Sequence, residues 1–178
     1  MMAGVNYFEF YGLPVSLNLD EAALKRLYYE NSKKFHPDFY TLESPEKQAE
    51  VLELATINNA AYRALSDFDS RLKYLLEIKG QLGEEGTHQL PQEFLMEMME
   101  VNEEAMELEF EFDEARYTSL LHNLKEMEQQ LLEELALASK TETEEAQQFS
   151  SMRNYFFKKK YLLRIKENLS KFAVPNGK

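Results

Sequence analysis

Apolar side chains recur along the chain at the three- and four-residue spacing of amphipathic helices, not at the alternating spacing of strands. One run places residues 51, 55, 58, 62 and 65 at intervals of four, three, four and three. Hairpin dipeptides are absent apart from Asn176-Gly177 at the C-terminus. The pattern therefore predicts an all-α protein.

Start and stop signals divide the first part of the pattern into helices. Asp20 precedes an apolar stripe that begins at Leu24 and continues to residue 35, and Ser44-Pro45 provides an N-cap with proline at the first helical position. A further apolar stretch over residues 72–76 stops at Gly80. A small helical unit over residues 1–80 is expected.

Three longer helices are predicted in the second part. One opens at Pro91 and runs through Phe112, and the next spans the leucine-rich stretch 120–135. Thr141 with Glu144 predicts a capping box before the last helix. The glycine-rich stretch 81–90 is predicted to be a linker, and residues 91–178 are predicted to pack as a three-helix bundle.

Composition narrows the possible functions. The formal net charge is −12, which argues against nucleic-acid binding and against docking on an anionic membrane surface. No cysteine occurs, which excludes disulfides, thiol nucleophiles and thiolate metal sites, and no cofactor is expected. The N-terminus lacks the basic residues of a signal peptide and no apolar run has the length of a membrane span, so the cytosol is the expected compartment.

The tripeptide His36-Pro37-Asp38 lies between two predicted helices, and proline there disfavours continuation of the first. At about 100° per residue, Lys25, Arg26 and Lys33 of the preceding helix lie on its solvent side and form a basic strip. Lys34 follows at the end of the same helix. From spacing alone the tripeptide is either a capped turn beside a solvated face or, less favoured, an acid/base pair of an enzyme, for which no nucleophile is placed.

The helix after Pro91 is acidic and rich in methionine. On a helical wheel one stripe lies within about 40° of Phe94 and predicts the core face, comprising Phe94, Met98, Val101, Ala105, Leu108 and Phe112. A second apolar group lies roughly opposite, edged by glutamates. This group either packs on a neighbouring helix or binds a partner, and a carboxylate metal site is disfavoured because no Glu-x-x-His pair is present.

These motifs together resemble a known family. The order of a short first helix, a basic second helix, His-Pro-Asp and the stretch Ile57-Asn58-Asn59-Ala60-Ala61-Tyr62 is similar to a J-domain. The segments YFEFYGLP at 7–14, RLKYLL at 71–76 and FLME at 94–97 are similar to the HscB-type co-chaperones of iron–sulfur cluster assembly. The resemblance covers nearly the whole chain.

The resemblance implies a co-chaperone and not an enzyme. It would bring an IscU-like iron–sulfur scaffold protein to a DnaK-type (HscA-like) chaperone and stimulate the chaperone's ATPase. The chaperone contacts would be His36, Pro37, Asp38, Lys25, Arg26, Lys33 and Lys34. The scaffold contacts would be Leu95, Met96, Met99, Glu100, Glu103, Glu107 and Phe156, with Phe157 as the alternative to the last.

One departure from the family pattern and two other interpretations stay open. Many J-domains carry lysine and phenylalanine after the aspartate, whereas Phe39-Tyr40 follow here, so the contacts of that lysine are in doubt. A general J-domain adaptor that delivers another client is the second interpretation. An enzyme with its own turnover is the third.

Overall fold

In the computed structural model, residues 4–83 and 88–172 are described, and every regular element among them is helical. The helices are α1 (Tyr7–Phe10), α2 (Glu21–Lys34), α3 (Pro45–Ser66), α4 (Phe68–Ile78), α5 (Gln92–Phe110), α6 (Glu114–Thr141) and α7 (Glu145–Phe172), with a 3₁₀ turn at Pro37–Tyr40. The predicted all-α class is confirmed. The chain divides into two compact units, Met1–Gly80 and Gln81–Lys178. The predicted linker at 81–90 stays a prediction, because residues 84–87 lie outside the described part.

The first unit is built around α3, against which α1, α2, α4 and the 3₁₀ turn all pack. Helix α2 begins after Asp20, whose carboxylate accepts hydrogen bonds from the backbone N–H groups of Ala22 and Ala23. Helix α3 begins after Ser44, whose hydroxyl accepts from Lys47 N. The predicted N-cap at Ser44 is confirmed. The core is formed by side chains from all four helices, including Phe8, Leu24, Leu65, Leu72 and Leu76.

A buried asparagine joins three segments of this unit. The Asn58 amide donates to the Tyr28 carbonyl oxygen at 3.1 Å and to Ser32 Oγ at 3.0 Å, both on α2. Its side-chain oxygen accepts from the Tyr11 hydroxyl at 2.8 Å. Burial, which disfavours the phenolate, raises the pKa of Tyr11 well above its ordinary value. The neutral Tyr11 hydroxyl therefore stays a donor and fixes the segment after α1 on α3.

A buried arginine performs a similar role at the C-terminal end of α3. Arg71 Nε donates to the Leu17 carbonyl oxygen at 2.8 Å, and Nη1 donates to the Leu65 carbonyl oxygen at 2.6 Å. Leu65 lies in the last turn of α3, where carbonyls have no partner within the helix. Arg71 thus ties α4 to the end of α3 and to the segment before α2.

The second unit contains α5, α6 and α7 in contact with one another. Helix α6 runs antiparallel to both neighbours, because Arg116 at its start pairs with Glu107 near the end of α5, and Lys158 and Lys166 of α7 pair with Glu134 and Glu128 in reverse order. The core is almost entirely apolar. It comprises Phe94, Met98, Leu108, Leu120, Leu124, Leu131, Leu135, Tyr155, Leu162, Ile165 and Leu169.

Two local predictions in this unit are wrong. Helix α5 ends at Phe110, so Phe112 does not continue the core stripe; it is exposed, with its ring 5.5 Å from that of Tyr117. Thr141 is the last residue of α6 and its hydroxyl donates back to the Leu137 carbonyl oxygen at 3.0 Å, so it does not cap α7.

Candidate partner-binding surfaces

The first candidate surface is the bend between α2 and α3. Helix α2 ends at Lys34, and His36 is the N-cap of the 3₁₀ turn, with Pro37 in its first position. The Tyr40 hydroxyl donates to the Lys34 carbonyl oxygen at 2.9 Å and so closes the bend back onto the end of α2. His36, Pro37 and Asp38 are all exposed on this closed bend.

The contacts of the His36 imidazole depend on its protonation. Nδ1 accepts a long hydrogen bond of 3.4 Å from the Asp38 backbone N–H, which requires an unprotonated Nδ1. The same atom lies 3.8 Å from Asp38 Oδ2, an ion pair that forms only when the ring is charged. In the described ranges, no group of three His, Cys, Asp or Glu side chains could hold a metal ion. The bend presents an exposed imidazole and an exposed carboxylate to solvent.

Four cations accompany this bend on α2. Lys25, Arg26, Lys33 and Lys34 are all exposed, and the two lysines of the last turn lie where the helix dipole favours positive charge. Lys34 Nζ lies 5.3 Å from the centre of the Phe35 ring. These four side chains are called the basic strip below.

The second candidate surface lies on α5, opposite the side that packs on α6 and α7. The core side presents Phe94, Met98 and Leu108, all buried. The other side presents exposed apolar side chains, and Met99 is 62% exposed. The interpretation that this group packs within the bundle is therefore wrong. The exposed set, called the acidic apolar surface below, comprises Leu95, Met96, Met99, Met106, Glu100, Glu103 and Glu107.

One of these glutamates already has a partner. Glu107 Oε2 lies 2.7 Å from Nη2 of Arg116, which stands at the start of α6. The hydrogen bond with Glu107 raises the pKa of the Arg116 guanidinium. Glu107 is thus an edge position whose charge is partly compensated before any partner arrives.

The sequence prediction did not include Phe110, which extends the surface to the end of α5. Its side chain is 88% exposed. On the wheel it falls about 160° from Phe94, between Met106 and Glu103. The same arithmetic that selected Met99 would have found it.

Helical phase distinguishes the two candidate aromatics of α7, Phe156 and Phe157. Helix α7 faces α5 through Lys158 and Tyr161: Lys158 Nζ lies 5.4 Å from the Phe94 ring centre, and the Tyr161 hydroxyl lies 3.3 Å from Asn102 Nδ2. At about 100° per residue, Phe157 lies about 40° from Tyr161, whereas Phe156 lies about 140° from it. The angular position of Phe156 on the helix therefore places it away from the side of α7 that meets α5.

Phe157 is also held by a local contact. Its ring stacks on that of His88, with centroids 4.3 Å apart, in the segment that leads into α5. Burial, then the charge of Arg153, lower the pKa of His88, while a hydrogen bond with Asn154 opposes the shift. His88 is thus favoured as the neutral ring that stacks on Phe157.

Comparison with known proteins bears on both units. Residues 90–170 match the family model described as the HSCB C-terminal oligomerisation domain. The co-chaperone protein HscB homolog of Vibrio cholerae serotype O1 (strain M66-2) is 38% identical over 102 residues, 56% of this chain and 59% of the relative. The homolog of Vibrio vulnificus (strain YJ016) is 39% identical over 106 residues, covering 58% and 61%. The match thus spans about three fifths of these relatives' length.

Solved structures match over more of the chain. Chaperone HscB from Vibrio cholerae has a TM-score of 0.68 at 26% identity and covers 94% of this chain and 96% of its own. Human co-chaperone protein HscB has a TM-score of 0.77 at 24% identity, covering 97% and 84%, and supports the fold alone. No helix in the described ranges is long and apolar enough to cross a membrane.

A helical unit that exposes His-Pro-Asp between two packed helices, followed by a three-helix unit, is the architecture that the chain shares with the solved HscB structures. The second unit belongs to the family of the HSCB C-terminal domain, and the chain as a whole is similar to HscB co-chaperones.

Proposed function

We propose that this chain recruits an IscU-like iron–sulfur scaffold protein to a DnaK-type, HscA-like chaperone and stimulates the chaperone's ATPase, with no catalysis of its own. The observation that carries the proposal is the presence of one exposed surface of distinct charge on each unit: a basic strip beside His-Pro-Asp, and an acidic apolar surface on α5. Two such surfaces suit a protein that holds two partners. Hydrolysis then traps the scaffold and promotes cluster release.

The first surface would contact the chaperone. The basic strip attracts an acidic partner from a distance and raises the rate of association, an effect that salt weakens. His36, Pro37 and Asp38 then reach the partner from a bend that Tyr40 holds closed. A bend fixed before binding loses less conformational entropy when it docks.

The second surface would contact the scaffold. Leu95, Met96 and Met99 supply flexible apolar contacts, and Glu100, Glu103 and Glu107 select a partner with basic residues. The angular positions of the two residues on α7 favour Phe157 over Phe156 as the aromatic side chain that this helix contributes. Replacing each with alanine tests this choice, and we expect Phe157→Ala to weaken scaffold binding more than Phe156→Ala.

ATP turnover by the chaperone tests the first surface. Adding this protein should stimulate turnover, and His36→Gln should abolish the stimulation without changing the helical content. His122→Gln is the matched control, because His122 is exposed on α6. Its Nε2 lies 3.4 Å from Oε1 of the exposed Glu126. Normal stimulation by His36→Gln would contradict the assignment of the bend.

Scaffold affinity tests the second surface. Met99→Ala combined with Glu103→Ala should weaken binding about tenfold or more, because central apolar contacts dominate interface energies. Stimulation through the first unit should not change. The matched control is Leu137→Ala with Glu133→Ala, an exposed pair on α6. Unchanged scaffold affinity would count against this surface, and binding of unfolded polypeptides in place of the scaffold would favour a general J-domain adaptor.

A further inference from the structure

An exposed aromatic side chain stands at the tip of the bend and has no role in the sequence prediction. Phe39 is 68% exposed. Its neighbour Tyr40 is half-buried and bonded to the Lys34 carbonyl oxygen. Tyr40 therefore closes the bend, while Phe39 is directed into solvent. Covering an exposed phenylalanine ring on binding is favourable, because it removes apolar area from water.

The position of Phe39 is fixed by the fold. Its backbone N–H donates to the His36 carbonyl oxygen at 3.1 Å within the 3₁₀ turn. Its ring centroid lies 5.6 Å from that of His36, at an interplanar angle of 52°. Phe39 and His36 thus form one small aromatic surface on a closed turn, which is the arrangement of a preorganised contact.

The surrounding charge indicates what covers this surface. Lys33 and Lys34 precede the turn directly, in a protein whose net charge is −12. A partner attracted to these cations is acidic where it faces them. Phe39 requires an apolar pocket beside that acidic area, and large aromatic side chains with this setting are typical centres of binding energy.

We propose that Phe39 is an apolar anchor for the DnaK-type chaperone, filling a pocket next to the acidic surface that receives the basic strip. The inference rests on the proposed function, because it assigns a further contact to the same surface. Covering Phe39 removes apolar area from water, so salt does not screen this contact, whereas it does screen the contacts of the basic strip.

The test is a titration of chaperone ATP turnover with Phe39→Ala at low and high salt. We expect the half-saturating concentration to rise about tenfold at both salt concentrations, with the maximal stimulation unchanged. Lys33→Gln with Lys34→Gln should instead raise it mainly at low salt. Phe112→Ala, at an exposed phenylalanine after α5 that belongs to neither surface, is the matched control and should leave the titration unchanged.

Three results would overturn the inference. An unchanged half-saturating concentration would show that Phe39 makes no contact. A lower maximum with unchanged half-saturation would mean that Phe39 only positions His36. Absence of stimulation by the unsubstituted protein would overturn the proposed function itself, and this result is distinct from the other two, in which the unsubstituted protein is active.

Discussion

The two candidate surfaces are held in place by different means. The first is a bend, and its unit buries the polar side chains Asn58 and Arg71, whose hydrogen bonds join segments far apart in the sequence. The second is one face of the single helix α5, whose other face is buried through apolar contacts. Among the described residues, no polar residue of the second unit is as deeply buried as these two.

The difference follows from local geometry. The backbone period fixes which residues share the outer face of α5 once its core face is packed. A bend has no such period, so the orientation of His36 depends on hydrogen bonds that hold α2 against α3. We therefore expect the first surface to be sensitive to polar substitutions far from it, and the second surface to be insensitive to them.

The largest expected effect is that of Arg71→Met. It leaves the carbonyl oxygens of Leu17 and Leu65 buried without their donor. The free energy of unfolding of the first unit should fall by about 3 kcal/mol. Chemical denaturation combined with hydrogen exchange, read separately for each unit, measures this loss.

The exposed Lys73 provides the control for Arg71. Lys73→Met keeps the length of the side chain and removes a charge whose ion pair with Glu77 lies at the surface, so its effect should be small. Equal loss of protection in both units after Arg71→Met would break the comparison, because it would show that the units unfold together.

A smaller effect is expected for Asn58→Ala. The hydrogen bonds to Tyr28 and Ser32 of α2 are lost. The Tyr11 hydroxyl can still donate to the backbone carbonyl oxygen of residue 58, which lies 2.9 Å away. A loss of about 2 kcal/mol follows, with faster hydrogen exchange in α2. Asn59→Ala removes only an exposed bond to the Tyr28 hydroxyl and is the control. Similar losses from both variants would contradict the role assigned to burial.

Local pattern was enough to predict the helices and the outer face of α5. The N-cap at Ser44 and the position of Met99 away from the core stripe of α5 follow from residue types within one or two turns, whereas the exposure of Met99 does not. The hydrogen bonds of the Asn58 side chain could not be predicted, because its partners lie 26 to 47 positions away in the sequence. The side chain was correctly placed in the buried stripe, but its hydrogen bonds come from tertiary structure.

The two errors have the same origin. Thr141 has the sequence of a capping box, yet its hydroxyl bonds back to Leu137 because α6 continues through it. Phe112 has the correct phase on the wheel, but α5 ends two residues earlier. Phase predicts which face a residue would occupy and does not predict where the helix stops.

The smallest expected effect concerns pH and the segment that leads into α5. The pKa of His88 is lowered in the folded protein, chiefly by burial, from an ordinary value of 6.5. As pH falls below about 6.5, the unfolded chain takes up a proton on His88 that the folded chain resists, so the free energy of unfolding decreases. Above that pH the contribution of His88 is constant.

Comparing denaturation near pH 7.5 and pH 5.5 measures this contribution. His88→Gln should reduce the loss of stability on acidification, whereas His122→Gln, at an exposed site, should not. An NMR titration of His88 should give a midpoint below 6.5. A midpoint at or above that value would mean that the neutral ring is not favoured beside Phe157. In that case, the apolar packing that holds the second unit would not include the segment around His88.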